Sequence, residues 1–141
     1  MTSSSPDAPA GGSTDTERPL VLIVDDNEKN LKLARDVLRV GGFRTLQAAS
    51  GAEGIALAAE HLPDVILMDL QLPDVEGTDA ARTLSDGPRT ARIPIVALSA
   101  HPLQGDGDWL IAAGFAGYIE KPFRVTEFSD QVRRFCAATD H

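Results

Sequence analysis

Five polar residues each follow or end a short apolar run in this sequence: Asp25, Asp26, Asp69, Ser99 and Lys121. Three carboxylates brought into one pocket would repel one another unless a proton or a cation compensated their charge. Oxygen-only ligands favour a hard ion such as Mg²⁺, or Mn²⁺, over zinc. Beside such an ion, Asp69 could attack phosphorus and form an aspartyl phosphate. Lys121 and Ser99 could contact other phosphoryl oxygens, so each residue type has a role in one reaction.

Each of these residues also has an ordinary structural interpretation. Asp25 or Asp26, taken alone, could cap a following helix, because Asp is a preferred N-cap residue. Ser99 alone is uninformative, and Lys121 alone could be a solvated surface lysine. Asp69 is harder to explain in this way, because it interrupts an apolar buried strand where a lone charge is costly. The occurrence of all five at strand ends therefore favours the functional interpretation. Three other acidic residues are interpreted as solvated loop charges: Asp64, Asp74 and Glu76.

The elements that must position these residues alternate between strand and helix patterns. Short apolar runs predict five strands buried on both faces, and amphipathic periodicity with caps and glycine stops predicts five helices. Such alternation implies right-handed βαβ crossovers and an α/β fold with a doubly wound parallel sheet. Ligands bind at the carboxyl ends of the strands in such sheets. The predicted strands are Leu20–Val24, Thr45–Ala49, Val65–Leu70, Ile95–Ala100 and Gly117–Glu120; the predicted helices are Lys29–Val40, 50–59 with its Ser50/Glu53 capping box, Thr78 to about Leu84, Asp108–Ala113 and Val125–Ala137 with Thr126 as its cap.

Composition restricts the partners and the location of the protein. A chain of 141 residues that is 43% hydrophobic suits one domain, predicted over residues 19–138 after a disordered tail over residues 1–18. The net charge of −8 argues against a general nucleic-acid binder and against docking on an anionic membrane. A single cysteine, Cys136, and the absence of a secretory signal or a membrane-length apolar run predict a cytoplasmic protein.

The motifs around the five polar residues resemble those of the receiver domains of two-component response regulators. The resemblance covers about residues 20 to 137, and it is strongest to stand-alone regulators of the DivK type and to the receivers of hybrid histidine kinases. It implies a flavodoxin-like (CheY-like) fold with strand order 2-1-3-4-5. The motifs are Val-Leu-Ile-Val-Asp25-Asp26-Asn27, Asp64-Val-Ile-Leu-Met-Asp69-Leu-Gln-Leu-Pro73 with Gly77, Ile95-Val-Ala-Leu-Ser99-Ala100, and Tyr118-Ile-Glu-Lys121-Pro122-Phe123.

The resemblance implies how the acidic positions would act. Asp69 would accept a phosphoryl group from a histidine kinase or a histidine phosphotransfer protein. Asp26 would bind Mg²⁺ directly and Asp25 mainly through water, while Asp69 and the backbone carbonyl of Gln71 would be further ligands. The protein would catalyse only its own phosphorylation and dephosphorylation, and it would signal by binding a downstream protein as a monomer or a weak dimer.

The resemblance also implies roles for the remaining motif positions. Lys121 and Ser99 would contact the phosphoryl group, and Ser99 would move towards it as a switch. Tyr118 would be the aromatic switch residue that turns inward in the active state. Gln71 and His101 would flank the path of the attacking water and tune the lifetime of the phosphoryl group. Output is expected at the predicted fourth helix, the fifth strand and the fifth helix.

Three other functions share parts of this pattern. A pseudo-receiver that binds proteins without phosphorylation would normally lack one of the acidic or lysine positions. A flavodoxin-like FMN carrier needs a hydroxyl- and glycine-rich phosphate loop after its first strand, where Asp25 and Asp26 would repel the phosphate. A phosphoaspartyl hydrolase would need an Asp-x-Asp arrangement, whereas Leu70 and Gln71 follow Asp69. The segment 101–108 contains Pro102 and two glycines, which make a poor helix start.

Overall fold

The computed structural model describes residues 18–99, 111–121 and 124–138. Within these ranges five strands and four helices alternate, and no helix there combines the length and the hydropathy that a membrane span needs. The predicted helix Asp108–Ala113 lies mostly outside the described residues, although residues 111–112 are helical. The elements are β1 Leu20–Val24, α1 Glu28–Val40, β2 Arg44–Ala48, α2 Gly51–His61, β3 Val65–Asp69, α3 Gly77–Asp86, β4 Ile95–Ser99, β5 Gly117–Glu120 and α4 Val125–Ala138.

The five strands form one parallel sheet in the order β2-β1-β3-β4-β5. This arrangement confirms the predicted α/β class and the strand order 2-1-3-4-5. Val24, the last residue of β1, pairs with Ala48 of β2 and with Met68 of β3. Asp69 pairs with Leu98 of the next strand. The carboxyl ends of the strands therefore lie side by side along one edge of the sheet.

Two hydrophobic cores cover the two faces of the sheet. Alternate residues of a strand point to opposite faces, so Val21 and Ile23 of β1 pack with α1 and α4, whereas Leu22 and Val24 pack with α2 and α3. All four are buried. Burial on both faces explains why the strands are read as continuous apolar runs rather than as alternating ones.

Side-chain caps determine where two of the helices begin. The side chain of Asn27 accepts hydrogen bonds from the backbone N–H groups of Lys29 and Asn30 and so caps α1. At α2 one half of the predicted capping box is present: the Ser50 hydroxyl accepts the Glu53 N–H at 3.2 Å. The Glu53 carboxylate reaches back to an N–H one residue before Ser50, that of Ala49, at 2.9 Å. Capping groups thus satisfy N–H donors that helical bonding leaves free.

The predicted cap of the last helix is wrong. Thr126 lies inside the first turn of α4, which begins at Val125. The carbonyl of Arg124 accepts the N–H groups of Glu127 and Phe128 at 2.9 and 2.8 Å. The helical hydrogen-bond pattern thus starts at Arg124, one residue before the helix, which is the position of an N-cap.

Candidate functional site

Three of the predicted site residues are in direct contact at the carboxyl edge of the sheet. The Lys121 Nζ lies 2.7 Å from Asp25 Oδ2 and 3.0 Å from Asp69 Oδ2. Asp25 is fully buried, and the side chains of Lys121 and Asp69 are 11% and 12% exposed. A lysine shared by two nearly buried carboxylates is a costly arrangement that needs good geometry to persist. Lys121 is therefore not the solvated surface lysine of the ordinary interpretation.

The backbone of the sheet determines where these residues stand. The Lys121 N–H donates to the Ser99 carbonyl at 2.7 Å, and the Asp25 N–H donates to the Ala48 carbonyl at 3.0 Å. Each of these bonds extends the ladder of a parallel strand pair by one residue beyond the strand end. Because the ladder is rigid, the residues that follow the strands are held at defined positions along the edge.

Asn27, and not the aspartate pair, caps the first helix. Asp25 Oδ1 accepts the backbone N–H of Asn27 at 2.9 Å in a local turn. Asp26 is exposed at the same edge. The helix-cap interpretation of Asp25 and Asp26 is therefore wrong, and both residues retain carboxylate oxygens that can take part in the chemistry of the site.

Carboxylate oxygens of Asp25, Asp26 and Asp69 all lie within 4.8 Å of one another. Asp25 Oδ2 is buried, and apart from its ion pair with Lys121 it has no aligned hydrogen-bond donor among the described residues. Lys121 is one positive charge shared between two carboxylates, so the buried negative charge of the site is only partly compensated, which is expensive. Three oxygen donors, one of them under-satisfied, fit a hard divalent cation such as Mg²⁺.

The charges of the site shift two ionisation equilibria. Burial raises the pKa of Asp69, and the neighbouring charge of Asp25 adds to this, while the N–H of Gln71 and the ammonium of Lys121 act in the opposite direction. Burial alone would lower the pKa of Lys121, but its contacts with Asp25 and Asp69 outweigh that effect and raise it. Lys121 is therefore held as a cation, and Asp69 binds a proton more readily than an exposed aspartate.

The loop that follows Asp69 is compact and closely bound at its base. Asp69 Oδ1 accepts the N–H of Gln71 at 3.0 Å, and Gln71 and Glu76 form an antiparallel bridge. The Gly77 N–H then donates to the Leu70 carbonyl at 2.9 Å. The Gln71 side chain is exposed. The loop thus returns the chain to the strand end within a few residues.

Two acidic residues that the sequence placed among solvated loop charges have structural roles. Asp74 Oδ1 and Oδ2 accept the N–H groups of Gly51 and Ala52 at 2.8 and 2.9 Å. Asp64 Oδ2 accepts the N–H of Leu20 at 2.7 Å. All three partners lie more than twenty residues away in the chain, so no local pattern could have revealed them. Both residues are exposed, as predicted, but each carboxylate also accepts at least one backbone N–H from a distant segment.

The other predicted residues are placed as follows. Ser99 is buried at the end of β4. Tyr118, on β5, is 43% exposed and so lies on the outer surface of the domain. His101 and the segment 101–108 lie outside the described residues. The structure therefore brings Asp25, Asp26, Asp69 and Lys121 together, with Ser99 at the same edge of the sheet.

Comparison with known proteins gives one consistent result. Residues 21–133 match the response regulator receiver domain family. The polar-differentiation response regulator DivK of Brucella ovis is 40% identical over 115 residues, which are 82% of this chain and 94% of that protein. The Brucella anthropi DivK is 39% identical over the same shares of both chains.

Solved structures show the same relationship. The receiver domain of a sensor histidine kinase from Pseudomonas aeruginosa PAO1, with a magnesium ion coordinated in its active site cleft, is 33% identical with a TM-score of 0.77. The alignment covers 85% of this chain and 98% of that chain. A CheY-like receiver domain protein from Methanospirillum hungatei JF-1 has a TM-score of 0.79 at 22% identity, over 87% of this chain and 97% of its own, and so supports the fold alone.

Proposed function

Because this chain belongs to the response regulator receiver family of two-component systems, we propose that it accepts a phosphoryl group on Asp69 from a histidine kinase or a histidine phosphotransfer protein. The family consists of signalling proteins rather than of enzymes acting on an external substrate, and its match decides against the flavin-carrier and hydrolase alternatives. The observation that carries the proposal is the position of Asp69. Its nearly buried carboxylate touches Lys121 and lies within 4.8 Å of carboxylate oxygens of Asp25 and Asp26.

The proposed reaction is a displacement at phosphorus. An oxygen of the Asp69 carboxylate forms a bond to phosphorus, and the bond to the donor imidazole breaks, with its electron pair remaining on the imidazole nitrogen. Mg²⁺, or Mn²⁺, held by the carboxylates of Asp25, Asp26 and Asp69 and by the Gln71 carbonyl, would neutralise charge on the transferring group. Lys121, already 3.0 Å from Asp69 Oδ2, would pair with a second phosphoryl oxygen.

The proposed output is a phosphorylation-dependent change at the protein surface. The Ser99 hydroxyl would move towards the phosphoryl group, and Tyr118 would turn inward to fill the space that this movement opens. A surface cavity of about 510 Å³ lies beside Tyr118 and also includes Arg124, Glu127 and Gln131. We place the downstream protein partner on this face. A partner can sense phosphorylation only if such an element has two arrangements of similar energy.

The lifetime of the phosphoryl group is proposed to depend on Gln71 and His101, which would flank the path of the attacking water. The proposal also includes a cytoplasmic location, as a monomer or weak dimer, and protein rather than nucleic-acid partners. The net charge of −8 supports this choice of partners, because a nucleic-acid binder needs an excess of positive charge.

Labelling with a small phosphodonor tests the assignment of Asp69. With acetyl phosphate and Mg²⁺, we expect one acid-stable, hydroxylamine-labile phosphoryl group on the wild-type protein and none on Asp69→Asn. Asp64→Asn is the matched control, because Asp64 precedes the opposite end of the same strand and its carboxylate accepts a backbone N–H. Labelling that persists in Asp69→Asn would refute the assignment.

A further inference from the structure

We propose that Asp74 is a positioning residue for the cation: by binding the start of α2 it holds the β3–α3 loop, and with it the Gln71 carbonyl, in place. This inference rests on the proposed function, because the cation concerned is the one assigned to the phosphoacceptor site. It adds a residue outside that site, and it explains why a carboxylate at the tip of a surface loop contacts a distant helix.

The contact between the loop and the helix is a pair of charge-assisted hydrogen bonds. The two carboxylate oxygens of Asp74 each accept one backbone N–H, from Gly51 at 2.8 Å and from Ala52 at 2.9 Å. These donors belong to the first turn of α2, where N–H groups have no partner within the helix. A negative charge is also favoured there by the helix dipole. In agreement, these hydrogen bonds lower the pKa of Asp74.

Apolar packing at the same place shows that the whole loop tip is seated on the helix. A Cβ atom added to Gly51 would lie 2.3 Å from Val75 Cγ2 and 3.6 Å from Leu72 Cδ1. It would also lie 3.3 Å from Asp74 Oδ1. A Cβ at Gly51 would therefore overlap with the Val75 side chain, and it would be in ordinary van der Waals contact with Leu72. The contact is a packed interface rather than a single hydrogen bond.

Gln71 stands between this tip and the phosphoacceptor. Its N–H donates to Asp69 Oδ1, and it pairs with Glu76 across the loop. The loop is thus held at its base by backbone pairing and at its tip by Asp74. A backbone carbonyl binds a cation better when its position is fixed beforehand, because ordering a free loop costs conformational entropy. If the loop tip were released, Mg²⁺ binding would have to order the loop and would become weaker.

The ordinary alternative is that Asp74 does no more than stabilise α2. Ser50 offers a matched control for this alternative, because its hydroxyl caps the same helix end by accepting the Glu53 N–H at 3.2 Å. Ser50 belongs to the helix's own chain segment and does not connect it to the β3–α3 loop. Ser50→Ala should therefore weaken the helix start without releasing the loop.

The first test is Mg²⁺ affinity, measured by calorimetry on the full chain. We expect Asp74→Ala to raise the dissociation constant for Mg²⁺ about tenfold, the lower end of the effect of outer-shell partners of a metal site. Ser50→Ala should leave the constant within about twofold of wild type. Asp74→Asn keeps one acceptor oxygen but no charge, so it should lie between wild type and Asp74→Ala. An equal loss of Mg²⁺ affinity in Asp74→Asn and Asp74→Ala would show that only the charge of Asp74 matters, and not its hold on the loop, and would overturn the proposal.

The second test separates binding from reaction. In labelling with acetyl phosphate, the Mg²⁺ concentration that gives half the maximal rate should rise in Asp74→Ala in parallel with the dissociation constant. At saturating Mg²⁺ the rate should recover towards that of wild type. A purely structural role would not produce a defect that saturating Mg²⁺ reverses, because a less stable helix would lower the labelling rate at every Mg²⁺ concentration.

The third test needs neither metal nor phosphodonor. In the metal-free protein, NMR should show faster amide exchange at Gln71 in Asp74→Ala but not in Ser50→Ala. If the two variants change Gln71 exchange and Mg²⁺ affinity equally, or Asp74→Ala changes neither, the proposal is wrong. If wild type binds no Mg²⁺, this proposal fails as well. If wild type binds Mg²⁺ with the expected dependence on Asp74 but takes no label, the proposed function fails while the positioning role stands.

Discussion

Gly77 offers the sharpest test of how the fold positions the phosphoacceptor. It is the first residue of α3, and a Cβ atom there would lie 2.4 Å from the Asp69 carbonyl oxygen and 2.8 Å from the Leu70 Cα. Comfortable carbon contacts begin at about 3.5 Å, so Gly77→Ala requires a movement of roughly 1 Å. The atoms that must move belong to the backbone of the strand end and its loop, which cannot rotate away as a side chain can.

The expected cost follows from this overlap. Added methyl groups in a packed interior cost about 1–3 kcal/mol, and a clash with backbone belongs in the upper part of that range. Alanine is a better helix former than glycine by up to about 1 kcal/mol, but less so at the first helical position. We therefore expect Gly77→Ala to lower the free energy of unfolding by about 2 kcal/mol. Because the displaced atoms belong to Asp69 and Leu70, labelling of Asp69 should also slow.

Gly117→Ala is the control for this prediction. Its Cβ would lie 2.6 Å from the Phe135 Cζ, an overlap of similar size, but with the tip of a half-buried ring that can move aside. We expect Gly117→Ala to lower the free energy of unfolding by less than about 1 kcal/mol, since alanine is also favoured over glycine in a strand. Urea denaturation followed by circular dichroism measures both variants. The reasoning is refuted if Gly77→Ala stays within about 0.5 kcal/mol of wild type, or costs no more than Gly117→Ala.

Three further predictions concern single groups. Lys121→Met leaves the carboxylates of Asp25 and Asp69 uncompensated, so it should lower the free energy of unfolding of the metal-free protein by about 3 kcal/mol. Mg²⁺ should raise the melting temperature more in this variant than in wild type. An equal rise in melting temperature would contradict the ion-pair assignment. Because burial raises the pKa of Asp69, the folded protein keeps this proton when the unfolded chain has lost it. The raised pKa of Asp69 therefore stabilises the fold fully below the unfolded value of 3.8, and this stabilisation is lost as the pH rises through the folded pKa. Denaturation of metal-free wild type and Asp69→Asn across acidic pH should show that only wild type has this pH dependence of the unfolding free energy. Parallel curves of unfolding free energy against pH would count against it. Thr90→Val removes a buried hydrogen bond of 2.6 Å to the Leu84 carbonyl, which should cost about 1 kcal/mol without changing the labelling of Asp69; slower labelling would show an unforeseen link to the site.

Local patterns were sufficient for the architecture because the physics that makes each element is local. Continuous apolar runs indicated strands buried on both faces, and the structure has strands at all five places. The Ser50–Glu53 pair indicated the start of α2, and both of its side chains accept backbone N–H groups there. The boundary errors were small, and Thr126 is typical of them, because several polar residues near a helix start can each serve as a cap.

The sequence by itself determined the fold class, the strand order through the family resemblance, and the convergence of Asp25, Asp26, Asp69 and Lys121. It could do so because parallel strands place their carboxyl ends at one edge, so residues that follow strands must meet there.

Only the tertiary structure decided which groups touch. Two sets of contacts join segments that are distant in sequence. Lys121 pairs with both Asp25 and Asp69, and the carboxylate of Asp74 accepts hydrogen bonds from the start of α2. The close fits at Gly51 and Gly77 also depend on how loops pack against helices and strand ends. Such contacts follow from the packing of the whole chain in three dimensions, and no short stretch of sequence encodes them.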